Sequence, residues 1–168
     1  FETVLVPGLL QTEEYARALL AGHCPPLSED AIEQHVEARL SRQKLLTRTP
    51  IVDVSLSIGE TVLPNPLGGP EVMRPQLRHL LEVGLLRNVE IQVMPATRGY
   101  HSGLDGAFVV LETPEHTRVG YVESQEVGTV VSDSTMVSSL GLRHGKLRSQ
   151  ALNVEESARL IERVAGEI

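Results

Sequence analysis

Two short stretches, Ile51-Val52-Asp53-Val54-Ser55-Leu56-Ser57-Ile58 and Val89-Glu90-Ile91-Gln92-Val93-Met94, decide the fold of this chain. Both are rich in β-branched residues. In the first, Val52, Val54, Leu56 and Ile58 share one face, and in the second Val89, Ile91 and Val93 alternate with Glu90, Gln92 and Met94. Period-two spacing of this kind marks strands. Thr49-Pro50 opens the first, because a residue before proline is pushed out of the α region, and Pro95 closes the second. Between them Met73, Leu77, Leu80, Leu81 and Gly84 recur at helical spacing from about Glu71 to Arg87-Asn88. Strand, helix and strand in this order predict a right-handed parallel crossover. The turn-prone residues 59–70 in front of the helix read as a structured loop.

Working outward, Thr12 caps a helix whose first turn holds Glu13 and Glu14, with Tyr15, Ala18 and Leu19 as its apolar face and Gly22 as its stop. Ser28 caps a second, in which Ile32, Val36 and Leu40 form a narrow stripe running to about Leu46. Beyond the crossover, residues 107–111 are continuously apolar and predict a central strand. Residues 118–123 predict another, and the two suggest an antiparallel meander. Residues 134–151 are helical in pattern, although Gly141 and Gly145 argue against one straight helix. Asn153 and Glu156 have capping-box spacing before a last helix carrying Ala158, Leu160, Ile161, Val164 and Ala165. The expected class is α+β: a small mixed β-sheet, made of the crossover and the meander, flanked by N- and C-terminal helices.

The 168 residues suit one domain. Only 3 % are aromatic and none is Trp, so the core must be built from Leu, Val and Ile, and base-stacking platforms are not expected. The net charge of −7 repels phosphate backbones. Cys24 is alone, which rules out an internal disulfide, and no apolar run is long enough to span a bilayer. The expected location is cytoplasmic, with no membrane contact. Because the chain opens with Phe1 almost directly on a loop-to-helix junction, we read it as cut from a longer one.

The order of "VPGLLQTEEYARALL", "EARLSRQKLL", "SIGETVL", "GGPEVMRPQLRHLLEV", "VEIQVMP", "GYHSGLDGAFVVLE", "VGYVES" and "ALNVEESARLIERVA" resembles the C-terminal domain of actinobacterial helix-turn-helix regulators of the xenobiotic-response type, described as antitoxin-like. The resemblance spans essentially the whole chain. It implies a regulatory domain preceded by a helix-turn-helix domain absent from this chain, DNA contact only through that missing domain, and a small partner protein encoded nearby. Two departures stand out. Where relatives carry an Arg-bearing turn this chain has "LPNPLGG", and "SSLGLRHGKLRSQAL" holds glycines where relatives tend to have aromatic residues.

Among the polar residues, Arg39 and Arg42 lie three apart on one helix face and read as an anion clamp or as surface partners of Glu33, Glu37 or a neighbouring element. Glu60 follows a strand, where open α/β sheets place ligand groups, or else binds loop amides. Gln76 and His79 share a helix face that could border the same crevice. In the loop 98–106 three glycines accompany Tyr100, His101, Ser102 and Asp105, which suits a ligand rim or a glycine-dependent hairpin. Glu123 is a strand-end surface residue or a pocket floor. Nucleophile-elbow, Walker and His-Glu-x-x-His signatures are missing, His35-Val36-Glu37 lacks the cysteine pair of a deaminase zinc site, and nothing calls for a cofactor or metal. The expected function is therefore a non-enzymatic regulatory domain that senses a partner protein or small-molecule ligand and forms a homodimer through Tyr15, Ala18 and Leu19 or through Leu160, Ile161 and Val164. The alternative is a small-molecule hydrolase or transferase using Glu60, His101 and Glu123 as acid and base groups.

Overall fold

The structure, a computed structural model, describes residues 1–124 and 127–168. The crossover forms as the spacing predicts. Strand β1 (Val54–Gly59) pairs in parallel with β2 (Val89–Met94), in register from Val54 opposite Val89 to Gly59 opposite Met94. Three helices precede or join them: α1 (Glu13–Ala21), α2 (Glu29–Gln43) and α3 (Pro70–Val83). The sheet then turns antiparallel, with β3 (Phe108–Glu112), β4 (Arg118–Ser124) and β5 (Val127–Val131) in the order β3-β4-β5. Helices α4 (Ser134–Gln150) and α5 (Val154–Glu167) close the chain. The class is α+β, with crossover and meander as two sheets.

Phe1 and Glu2 tie these sheets together. The Phe1 backbone N–H donates to the Phe108 carbonyl at 2.8 Å, and the Phe108 N–H donates back at 3.2 Å. Glu2 makes the matching exchange with β1, donating to the Ser57 carbonyl at 3.0 Å and accepting from the Gly59 N–H at 2.9 Å. The two residues act as a short connecting strand, so the mixed sheet expected from the pattern is completed by a segment that carries no strand signal of its own.

Caps explain where the helices start. Thr12, Ser28, Asp133 and Asn153 each accept from an amide in the first turn, and Asn153 with Glu156 completes the reciprocal capping box. The main core lies between α3, α5 and the parallel pair, built on Tyr15, Ile58, Met73, Leu77, Leu80, Val93 and Ile161. A second cluster, with Phe1, Met94, Phe108 and Leu147 at its centre, joins α4 to the antiparallel sheet, and a third joins α1 to α2 through Ala16, Leu20, Ile32 and Val36.

Four expectations need correction. In α1 the buried residues are Tyr15, Ala16 and Leu20, while Ala18 and Leu19 are half-buried, because α1 packs against both α2 and α3. Tyr15, Leu160 and Ile161, offered as dimer contacts, are buried within this chain's own cores. The central strand of the meander is β4, and β3 exposes Val109 and Leu111 to solvent. Finally, α4 runs unbroken through Gly141 and Gly145, since no neighbour stands within 4 Å of where their side chains would be and Val137, Leu140 and Leu147 anchor the other face.

Candidate functional site

Glu60 sits in a 3-10 turn (Glu60–Val62) directly after β1 and accepts from the Ala96 N–H at 2.7 Å, just past the end of β2. Parallel neighbours end on the same side, and this carboxylate joins the two ends. That is the loop-amide role. His101 stands in the next loop, its Nδ1 accepting from the Gly103 N–H at 3.2 Å and its ring meeting Phe1 edge-on with centroids 5.9 Å apart. No hydrogen bond or ion pair joins Glu60 to His101 among the described residues. Gly99 and Gly106 hold φ of 73° and 117°, which glycine adopts without strain, so the loop is a glycine-dependent turn pair.

Gln76 does not reach this end of the sheet. It is fully buried, its carbonyl accepting from the Thr12 N–H and its amide donating to the Leu10 carbonyl, both at 2.7 Å. It serves as an internal clamp on the turn that leads into α1. The neighbouring His79 is half-buried beside Glu82.

Arg39 and Arg42 do not pair with Glu33 or Glu37. Glu33 bonds Arg17 of α1 instead. Arg39 donates from Nη1 to Gln11 Oε1 at 2.5 Å, Gln11 donates to the Val6 carbonyl at 2.6 Å, and Gln43 donates to the Gln11 carbonyl at 2.6 Å. The Arg39 Nε is buried without a hydrogen-bond partner among the described residues. Burial lowers the Arg39 pKa, the like charge of Arg42 lowers it further, and Glu123 and Tyr15 act in the opposite direction. Glu123 also acts on Glu2, whose carboxyl is raised mainly by burial. Arg39 thus feels the charge of Glu123 on β4 as well as that of Arg42 on its own helix, a link the sequence alone did not make.

The surface left uncovered is one face of the antiparallel sheet. Phe108, Val110 and Val122 turn inward toward α4, which leaves Val109, Leu111, Tyr121 and Val130 outward. Val109 pairs with Tyr121 and Tyr121 with Val130, so an apolar row crosses all three strands. Val109, Leu111 and Val130 are 51 %, 50 % and 68 % exposed. Glu123 lies on the same face one step along β4 from this row. In the sequence this face is marked only by the continuous apolar run at 107–111 and by the strand pattern at 118–123, and residues 127–131 carry no alternation. A concavity of about 500 Å³ flanks α4, lined by Arg118, Gly141, Leu142, Gly145 and Lys146 among others, and none of the six candidate site residues borders it.

Replacing Glu60 by Gln is expected to leave the fold intact. The amide oxygen keeps the bond to Ala96 and only the charge-assisted part is lost, about 1 kcal/mol. Thermal melting checks this, and a collapse of the fold would make the carboxylate charge essential to the strand ends.

No described helix is long and apolar enough to cross a membrane. Among the described residues no group of three His, Cys, Asp or Glu is arranged to hold a metal ion. No curated protein and no solved structure matches the chain. One family model does, over residues 1–163, and by that match the chain belongs to the family of the domain of unknown function DUF5753.

Proposed function

We propose that this chain is the regulatory domain of a helix-turn-helix transcriptional regulator of the actinobacterial, xenobiotic-response kind, and that it works by binding rather than by catalysis. It senses a partner protein or small ligand in the cytoplasm and passes that state to a DNA-binding domain on the same polypeptide. The observation that supports this reading is the contrast between the open apolar face and the dispersed titratable groups. A hydrolase or transferase needs its acid, base and nucleophile within reach of one substrate. Here Glu60 holds a strand-end amide, His101 holds its own loop, and Glu123 lies on the open sheet face. Exposed contiguous apolar surface is what interaction modules present. Linkage then requires only that the partner favour one conformation or assembly over the other.

The test is a mobility shift at physiological salt. With a net charge of −7 the isolated chain is expected to give no sequence-dependent shift, and the longer protein with its helix-turn-helix domain is expected to give one. Binding by the isolated chain at nanomolar concentration would sink the assignment of DNA contact to a separate domain.

A further inference from the structure

We propose that the outer edge of β5 is a self-association seam, at which a second copy of this chain pairs antiparallel with it about a two-fold axis. The inference deepens the reading of this domain as an interaction module and rests on it. β5 pairs with β4 on one side, and among the described residues no strand pairs its other side. Its sequence, Val127-Gly128-Thr129-Val130-Val131, has no charge, no proline and no bulge, the devices by which monomeric proteins blunt an edge. Four of its five residues are exposed. A neutral, regular and apolar edge of this kind is a template for another uncharged strand.

The details favour an identical strand as that partner. Antiparallel pairing centred on Thr129 sets Val127 against Val131 of the second copy and Gly128 against Val130 of the second copy. Tyr121 lies across Gly128, where a β-carbon would overlap its hydroxyl, so the glycine makes room for the ring. Val130 of each copy then comes beside Tyr121 of the other, and the two-fold makes this contact twice. The row Val109, Tyr121, Val130 therefore meets its counterpart offset by two residues along the strand, with Gly128 of each copy under Val130 of the other. The seam carries no charged side chain, so the net charge of −7 per copy is not concentrated at the contact. Edge pairing brings only β5 and the side chains beside it into contact, so the interface falls at the small, weakly associating end of the range, under about 1,200 Å².

Sedimentation of the 168-residue chain is expected to report a dimer at about 100 µM, where interfaces of this size associate. Thr129→Lys and Val130→Lys, both at exposed positions, should each weaken it at least tenfold while leaving circular dichroism and melting of the monomer unchanged: two lysines at 129 would face each other across the axis, and a lysine at 130 would replace the apolar contact with Tyr121 of the other copy by a charge. In a Cys24→Ser background, Thr129→Cys should form a covalent dimer on mild oxidation, since paired strands bring these Cα atoms within disulfide range, about 4.5–5.5 Å. A chain that stays monomeric at that concentration overturns the seam, as does a dimer indifferent to both lysine variants. Either result leaves the regulatory reading standing, because that reading is judged by the separate DNA-binding measurement.

Discussion

Gln76→Ala should lower the melting temperature by about 10 °C. The side chain is fully buried in α3, and its two ends complete the hydrogen bonding of Thr12 N–H and Leu10 C=O across more than sixty residues of sequence. Removing it leaves both backbone groups without a partner in a place that water does not reach freely, and a buried polar group left unpaired costs about 1–3 kcal/mol. Truncation also leaves a void beside Leu77 and Leu80, which adds a cavity cost. Because Thr12 is only partly buried, we set the sum at about 3–4 kcal/mol, and for a chain of this length each kcal/mol moves the midpoint by about 2–4 °C. Gln76→Met separates the contributions: it fills most of the volume and keeps only the hydrogen-bond loss, so it should recover a third or more of the deficit. Differential scanning calorimetry of both variants decides the matter. If alanine melts within 2 °C of the parent, the clamp contributes little to stability.

That clamp shows where the sequence stops being readable. The helix starts were legible because a cap and its amide are within three residues of each other, as with Thr12 and Tyr15 or Asn153 and Glu156. The crossover was legible because period-two and helical spacing are local signals. Gln76, Arg39 and Glu123 owe their environments to segments brought from far away, and a polar residue on an amphipathic helix gives no sign of whether its partner is solvent, ligand or a distant carbonyl. The central-strand reading of residues 107–111 failed for a related reason: a continuous apolar run is expected when both faces are buried, but here Val109 and Leu111 face an uncovered surface. α4 shows the opposite imbalance. Two glycines weaken a helix by about 1 kcal/mol each, yet tertiary packing of Val137, Leu140 and Leu147 overrides that local penalty.

The largest effect outside the main core is expected from Gly103→Ala. Gly103 is buried in a 3-10 turn (Ser102–Asp105), and a β-carbon there would overlap the ring of Phe1, whose Cδ1 lies 2.8 Å from that position. The backbone at Gly103 does not need positive φ, so alanine is conformationally acceptable and the damage falls on the ring alone. Phe1 packs with Met94, Phe108 and Leu147, and its backbone, with that of Glu2, is the link between the two sheets. Expelling the ring loses about 1.5–3 kcal/mol of burial, and compressing it in place costs about 1–3 kcal/mol, so either route lands near 2 kcal/mol. The loss should be uneven. With the connecting segment displaced, α4 and the antiparallel sheet lose their tie to β1, whereas α3, α5 and the parallel pair keep their own core. Native-state hydrogen exchange should therefore show protection falling in β3, β4 and α4 well before it falls in β1, β2 and α3. A double-mutant cycle with Phe1→Ala isolates the cause: once the ring is gone, Gly103→Ala should cost less than about 0.5 kcal/mol. Full cost persisting in that background, or uniform loss of protection across both sheets, would place the strain elsewhere and remove Phe1 as the element that holds the sheets together.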